Sequence, residues 1–202
     1  MGTIKHFIFG LSFYLMAGGV LAQYQLVGGP CEGCEAVFEF GDRNLNPTDT
    51  LQGFETIENR LKVTGTIYEP DGVIPAADVV LYIYHTNAKG VYPTRGDEQG
   101  WGRRHGYIRG WIKTDSTGRY TLYTGMPGSY SSNPAHIHPI ILEPNDKYYY
   151  IDAYRFSDDP HLPENPHYEN RGGTGIVQLK RDGDMLIARR DIILGKNVPN
   201  YE

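Results

Sequence analysis

The hexapeptide Val79-Val80-Leu81-Tyr82-Ile83-Tyr84 places Val79, Leu81 and Ile83 at alternate positions, with Tyr82 and Tyr84 interleaved. Strand side chains alternate with a period of two, so the aliphatics share one face and the tyrosines the other. The same alternation returns on both sides, over 61–69, 77–85, 119–124, 137–143, 148–154, 175–180 and 185–194. Turn sequences divide these runs: Pro70-Asp71-Gly72, Asp115-Ser116-Thr117-Gly118, Pro144-Asn145-Asp146 and Asp182-Gly183. Helical periodicity is hard to find. Many short strands at such intervals predict an all-β chain folded as an antiparallel β-sandwich. Three stretches break the pattern: 23–58, the Gly-rich 93–110 with Trp101, Arg103, Arg104, His105 and Tyr107, and 157–174. Long loops on a rigid sandwich are where ligands usually bind.

The 202 residues suffice for one domain with a core. At the N-terminus, Lys5 and His6 precede an apolar run from Phe7 to Leu21 that ends in Val20-Leu21-Ala22. That pattern predicts a signal peptide over 1–22, cleaved before Gln23, and a secreted or periplasmic protein. A membrane anchor is the competing reading, but the run is short against the roughly 20 apolar residues a span needs. No later segment is apolar enough to span. The expected organisation is therefore a signal peptide (1–22), an N-terminal arm (23–58) and a β-sandwich domain (59–202). Net charge is −5, and −6 once Lys5 is removed (−5 minus +1), which argues against a nucleic-acid surface. The only cysteines, Cys31 and Cys34, form C-x-x-C. In an exported protein this predicts a local disulfide tying down the arm. A redox motif would need a strand-helix context, and a zinc knuckle a second ligand pair.

The chemistry concentrates in Pro127-Gly128-Ser129-Tyr130 and Pro134-Ala135-His136-Ile137-His138. On an extended segment, His136 and His138 point to one face and Ile137 to the other. Two adjacent imidazoles form a metal clamp or a proton relay. Tyr130 lies just upstream. A phenol with a pKa near 10 ligates as phenolate only when a strong Lewis acid displaces its proton. Phenolate is a hard anionic donor, and two of them beside two imidazoles select Fe(III) over zinc, magnesium or calcium. Glu143, the only acid close behind the pair, stands five residues after His138 and faces the other way, a poor third ligand. Among 16 tyrosines most pack in the fold. Tyr130 gains from its Pro-Gly turn, and Tyr92 only from a comparison of families.

Two stretches carry that comparison. One runs from Val63-Thr64-Gly65-Thr66-Ile67-Tyr68 through Asp71-Gly72 and Pro75-Ala76-Ala77-Asp78-Val79 to Gly90-Val91-Tyr92. The other runs from Thr114-Asp115-Ser116-Thr117-Gly118-Arg119-Tyr120 through Met126-Pro127-Gly128-Ser129-Tyr130 to His138. Together they resemble the intradiol ring-cleavage dioxygenases, over about residues 60–195, including a closing Arg190-Asp191-Ile192-Ile193-Leu194 strand. The Pro-Gly-x-Tyr and Pro-Ala-His-x-His run is specific. The opening V-x-G pattern is shared with prealbumin-like and carboxypeptidase-regulatory sandwiches. The resemblance implies a prealbumin- or immunoglobulin-like sandwich with Fe(III) held by Tyr92, Tyr130, His136 and His138. It implies a catechol bound as a dianion, a proton taken by Tyr130, and O2 opening the ring between the hydroxylated carbons to a muconate-type diacid.

The chain departs from that family in three places. The family's Arg three residues before the first His is Asn133 here, which donates a hydrogen bond without a charge. The family's Gln after the His pair falls near Asp152, and the interval from Tyr130 to His136 is short. Arg95, Arg103, Arg104 or Arg155 could replace the missing charge, and Trp101, Tyr107 and Trp111 could wall an aromatic pocket. Neutral or substituted catechols are the expected substrates, with Tyr130 and Asn133 as the catalytic pair. Two other classes compete: a non-catalytic binding or adhesion module with a vestigial or structural metal site, and a cupin. For a cupin the second His motif is missing.

Overall fold

The computed structural model describes residues 23–164 and 166–202. The expected signal peptide lies outside the described residues. Among the described residues there are thirteen strands: β1 (Gln25–Leu26), β2 (Thr48–Thr50), β3 (Arg60–Tyr68), β4 (Val80–His85), β5 (Arg109–Lys113), β6 (Arg119–Gly125), β7 (His136–Leu142), β8 (Lys147–Tyr150), β9 (Tyr154–Phe156), β10 (Ile176–Val177), β11 (Leu179–Asp182), β12 (Met185–Arg189) and β13 (Ile192–Ile193). The described residues also form one short helix, α1 (Gly102–His105), and two 3-10 turns at Cys34–Phe38 and Phe54–Thr56.

The strands make two sheets. The first has the order β1-β8-β7-β4-β5, with β9 on β7 and β10 on β9. The second has the order β11-β12-β3-β6-β2, with β13 on β3. The all-β sandwich is as the alternation predicts. The central pairs β3–β6, β4–β5, β4–β7 and β7–β8 are antiparallel. Pairing is mixed, however: β1–β8, β2–β6, β9–β10, β12–β3 and β13–β3 run parallel. Short strands recruited by long connections meet their neighbours in either sense, which local alternation does not encode.

The main core lies between the sheets, where Leu81, Ile83, Ile112, Ile137 and Ile141 of the first meet Leu61, Val63 and Leu122 of the second. Tyr120 in β6 and Tyr154 in β9 join hydroxyls across it at 2.9 Å. A second apolar cluster covers the outer face of the first sheet: Cys34, Ala36 and Val37 pack on Val80, Tyr82, Trp111, Ile140 and Leu142. The stretch around Cys34–Phe38 is thus laid over the outer face of the first sheet, while β1 and β2 on either side of it extend the two sheets and Val27 and Leu51 enter the main core. The Nε1–H of Trp111 donates to the carbonyls of Ala36 and Val37, both at 3.1 Å.

That covering explains β5, which the alternation missed. Gly110, Trp111 and Ile112 are buried in succession, because core lies under one face and the arm over the other. The expected strand 148–154 is split. β7 pairs with β9 at His136 and Ile137 and with β8 from Ile140 onward. Pro139, which has no N–H to donate, sits at the gap between them. Among the described residues no helix is long and apolar enough to cross a membrane.

Candidate metal centre

Registry builds the site on the outer face of the first sheet, at the end where β7 begins. Tyr84 of β4 lies opposite His138 of β7. Directly opposed residues share a face, and the two rings stack at 4.6 Å. Ile137 points inward and is fully buried. The alternation therefore sends His136 and His138 out together, as their spacing predicts. Tyr92 follows β4, and Tyr130 lies midway along the loop between β6 and β7.

The two tyrosine loops interlock. The N–H of Gly128 donates to the Asn87 carbonyl at 2.9 Å, and the Thr86 hydroxyl to the Gly128 carbonyl at 3.0 Å. The Asn87 carboxamide oxygen accepts from the N–H groups of Lys89 and Val91 at 2.9 and 3.2 Å, which turns the chain toward Tyr92. Gly90 (φ 71°) lies so close to the second loop that a Cβ there would stand 2.4 Å from the Ser129 carbonyl oxygen. Tyr130 and Asn133 exchange backbone hydrogen bonds at 3.3 and 2.9 Å around Ser131 (φ 52°). Asp159 anchors the same loop, accepting from the Ser129 hydroxyl and the Ala135 N–H, each at 2.9 Å. Burial alone would raise the Asp159 carboxyl, but these donors and the His161 N–H outweigh it and hold the pKa below the usual value.

At the centre, Nε2 of His136 and Nε2 of His138 stand 2.9 Å apart, and the Tyr92 hydroxyl is 3.0 Å from Nε2 of His138. The Tyr130 ring lies 5.6 Å from His136 and 6.2 Å from Tyr92, centroid to centroid. Nδ1 of His136 lies 2.7 Å from the Pro134 carbonyl, so it carries the proton and donates it there. Its lone pair is thereby on Nε2, aimed at His138. At 2.9 Å the two nitrogens are bridged either by a proton on Nε2 of His138 or by a cation. Cis ligands on an ion with bonds of about 2.1 Å stand about 3.0 Å apart. The donor set therefore fits a metal.

Its electrostatics point the same way. Burial holds the His138 pKa down at about 3, and the neighbouring charges of His136, His105, Arg155 and His85 add to the effect. His136 is lowered by burial, partly offset by the Pro134 carbonyl. Both imidazoles are neutral at ordinary pH, the state a ligand needs. Burial, and then the Tyr130 hydroxyl, push the Tyr92 phenol well above its ordinary value. A bound cation reverses that preference. Among the described residues no three His, Cys, Asp or Glu side chains gather as a metal site. The cluster is built of two phenols and two imidazoles instead.

The other expected residues fall variously. Asn133 is exposed at the end of the Tyr130 turn and joins the site through its backbone. Glu143 points away, buried and accepting from the hydroxyls of Tyr149 (2.6 Å) and Tyr201 (2.9 and 3.0 Å). The Asp152 carboxylate accepts the Asn170 N–H at 2.9 Å. Of the four candidate arginines, Arg155 lies directly across from His136. Its charge acts on both imidazoles, while its guanidinium stacks 4.0 Å over Tyr168. Arg95 stacks on Tyr107, and Arg103 donates to the Glu98 carbonyl. Trp111 belongs to the apolar layer under the arm rather than to this site.

Two hollows open in front of Tyr92 and His138. One, of about 180 Å³, is lined by Glu32, Tyr84, Tyr92, Trp101, Arg104 and His105. The other, of about 230 Å³, lies among Cys31, Glu32, Tyr84, His138 and Tyr150. A larger cavity of about 380 Å³ lies apart, by His85, Asn87, Tyr107 and Met126. Both His85 nitrogens are engaged there, by the Thr86 carbonyl and the Thr124 hydroxyl. Sequence reasoning missed Tyr84 as the ring beneath His138, Asp159 as the loop anchor and Glu32 as a wall. Only Tyr84 carried a signal, the aromatic face of β4.

Solved structures that resemble the chain include dioxygenases. The dioxygenase domain of a dioxygenase–carbohydrate-binding protein fusion from the cellulolytic bacterium Streptomyces sp. SirexAA-E superposes with a TM-score of 0.55 at 18% identity, covering 86% of this chain and 97% of that one. Catechol 1,2-dioxygenase from Pseudomonas arvilla C-1 gives 0.57 at 19%, covering 74% of this chain and 56% of that one. 3-Chlorocatechol 1,2-dioxygenase from Rhodococcus opacus 1CP gives 0.57 at 22%, covering 78% and 68%. The chain thus spans little more than half of the Pseudomonas enzyme. No protein-family model matches it, and no curated protein matches it by sequence. The likeness establishes the fold, which is that of the intradiol dioxygenases.

Proposed function

We propose that this chain is an exported ferric dioxygenase that opens a catechol between its two hydroxylated carbons, adding both atoms of O2 to give a muconate-type diacid. One observation carries the reading: Nε2 of His136, Nε2 of His138 and the Tyr92 hydroxyl converge at 2.9 and 3.0 Å beside Tyr130. Tyr92, Tyr130, His136 and His138 would hold the ion. Ferric iron, when bound, supplies a Lewis acid that keeps both catechol oxygens deprotonated and leaves the ring open to attack by O2.

The chain's own groups do the remainder. Pro134 fixes the His136 tautomer through its carbonyl, and the ring of Tyr84 holds His138 in plane. Tyr130 accepts a proton from the incoming catechol, and its short turn, closed by the Asn133 backbone, sets the reach of that hydroxyl. Arg155 supplies, from β9, the positive charge that Asn133 lacks. Tyr84, Trp101 and Tyr150 give aromatic walls to the hollows. Export is supported by the Lys5–Ala22 pattern and by the Cys31–Cys34 disulfide, a bond that persists in oxidising compartments.

The test is to load the protein with iron, add catechol anaerobically, then admit oxygen. A ring-opened diacid formed with one O2 consumed per catechol supports the proposal. Binding of iron and catechol with no oxygen uptake makes the protein a binding module instead.

A further inference from the structure

The hollows before Tyr92 and His138 share one wall, the turn at residues 30–34 of the arm. The Cys31–Cys34 disulfide closes this turn. Gly33 (φ 89°) lays it against α1, where a Cβ would stand 2.8 Å from Nε2 of His105 and 3.3 Å from the Trp101 ring. Only a glycine reaches this backbone geometry at so close an approach. The turn thereby delivers the Glu32 carboxylate to the guanidinium of Arg104. Glu32 lines both hollows, and Arg104 lines the one before Tyr92. The pair is mostly exposed, with 69% of the Glu32 side chain and 64% of Arg104 open. An ion pair this exposed contributes little to stability, so its significance is positional. Both charges act on the Tyr84 phenol, with opposite sign, beside His138.

We propose that Glu32 and Arg104 form a charge-neutral latch across the mouth of the cleft, so that the site selects uncharged catechols over carboxylated ones. While paired, the guanidinium is not free to receive a substrate carboxylate, and Glu32 repels one. Discrimination of this kind works by an unfavourable contact with the wrong ligand. The proposal rests on the ferric-catechol reading above.

The two partners make opposite predictions. Iron-loaded wild type, Glu32→Gln and Arg104→Gln are titrated anaerobically with catechol and with 3,4-dihydroxybenzoate, following the visible band. The ratio of affinities, carboxylated over uncharged, rises about three- to tenfold in Glu32→Gln, where Arg104 is released. It falls by a similar factor in Arg104→Gln, and added salt shrinks both changes. A ratio unchanged in both variants, or shifted in the same direction in both, overturns the latch. So does a wild type that prefers the carboxylated ligand. A wild type that takes up no iron, or iron but neither catechol, fails at the ferric-catechol reading, a result told apart because no ratio then exists.

Discussion

Gly128→Ala tests whether the interlocked loops set the donor geometry. The Gly128 N–H donates to the Asn87 carbonyl at 2.9 Å, so the loop carrying Tyr130 hangs on the loop carrying Tyr92. A Cβ at Gly128 would stand 2.4 Å from the Ala88 carbonyl oxygen and 2.7 Å from the Gly90 nitrogen. Both are backbone atoms and cannot rotate away. Cβ atoms do not approach under about 3.0 Å, so the two loops must part by about 0.6 Å or more. A functional constellation tolerates displacements of only about 0.5 Å. The expected result is a loss of iron affinity of about 10–100-fold, the range for changes just outside a metal's ligands. The fold should lose about 1–3 kcal/mol, as overpacked sites do. The assay is iron titration by visible absorbance, paired with urea unfolding of the metal-free protein. Iron affinity within twofold of wild type would refute the reasoning, because the loops would then have room that the contacts deny them.

Other predictions address ligands, anchors and titration. Tyr92→Phe and His138→Ala should each strip most iron by metal analysis, whereas Asn133→Arg should retain iron and alter turnover. Full iron retention in Tyr92→Phe would remove that ligand from the set. Asp159→Ala should cost about 2 kcal/mol by loosening the Tyr130 loop. Because the Asp159 pKa is depressed on folding, its stabilisation is present above the unfolded value near 3.8 and lost as pH falls through the folded one. The variant should therefore show a flatter acid limb in urea unfolding below about pH 4. Burial lowers His85 to about 4 from 6.5, so it is neutral when folded and protonates more readily when unfolded. Stability of the metal-free protein should be full above pH 6.5 and decline as pH falls toward 4, by about 3 kcal/mol for this group. A profile flat from pH 7 to pH 5 would contradict the burial of its neutral form.

What was legible in the sequence was whatever local pattern encodes. The aliphatic face of Val79, Leu81 and Ile83 placed the core, and the two-residue spacing of His136 and His138 placed both imidazoles on one face. β5 was hidden because Trp111 is covered by residues far away in sequence, so burial on both faces erased its alternation. The parallel edge pairs were hidden for the same reason: they join segments that long connections separate. In the site, Tyr92 needed a family resemblance, since nothing local distinguishes it from other tyrosines. Arg155 and Glu32 reach the site through strand register and a disulfide-closed turn. Neither has a signature in a linear reading.

The central claim is that two phenols and two imidazoles hold ferric iron and present it to a catechol. The visible spectrum of the iron-loaded protein, recorded with and without catechol in the absence of oxygen, tests it most directly. Phenolate ligation predicts a red-brown protein, from charge transfer between phenolate and iron, and a shift of that band on adding catechol. A protein that stays colourless after iron loading would contradict the account.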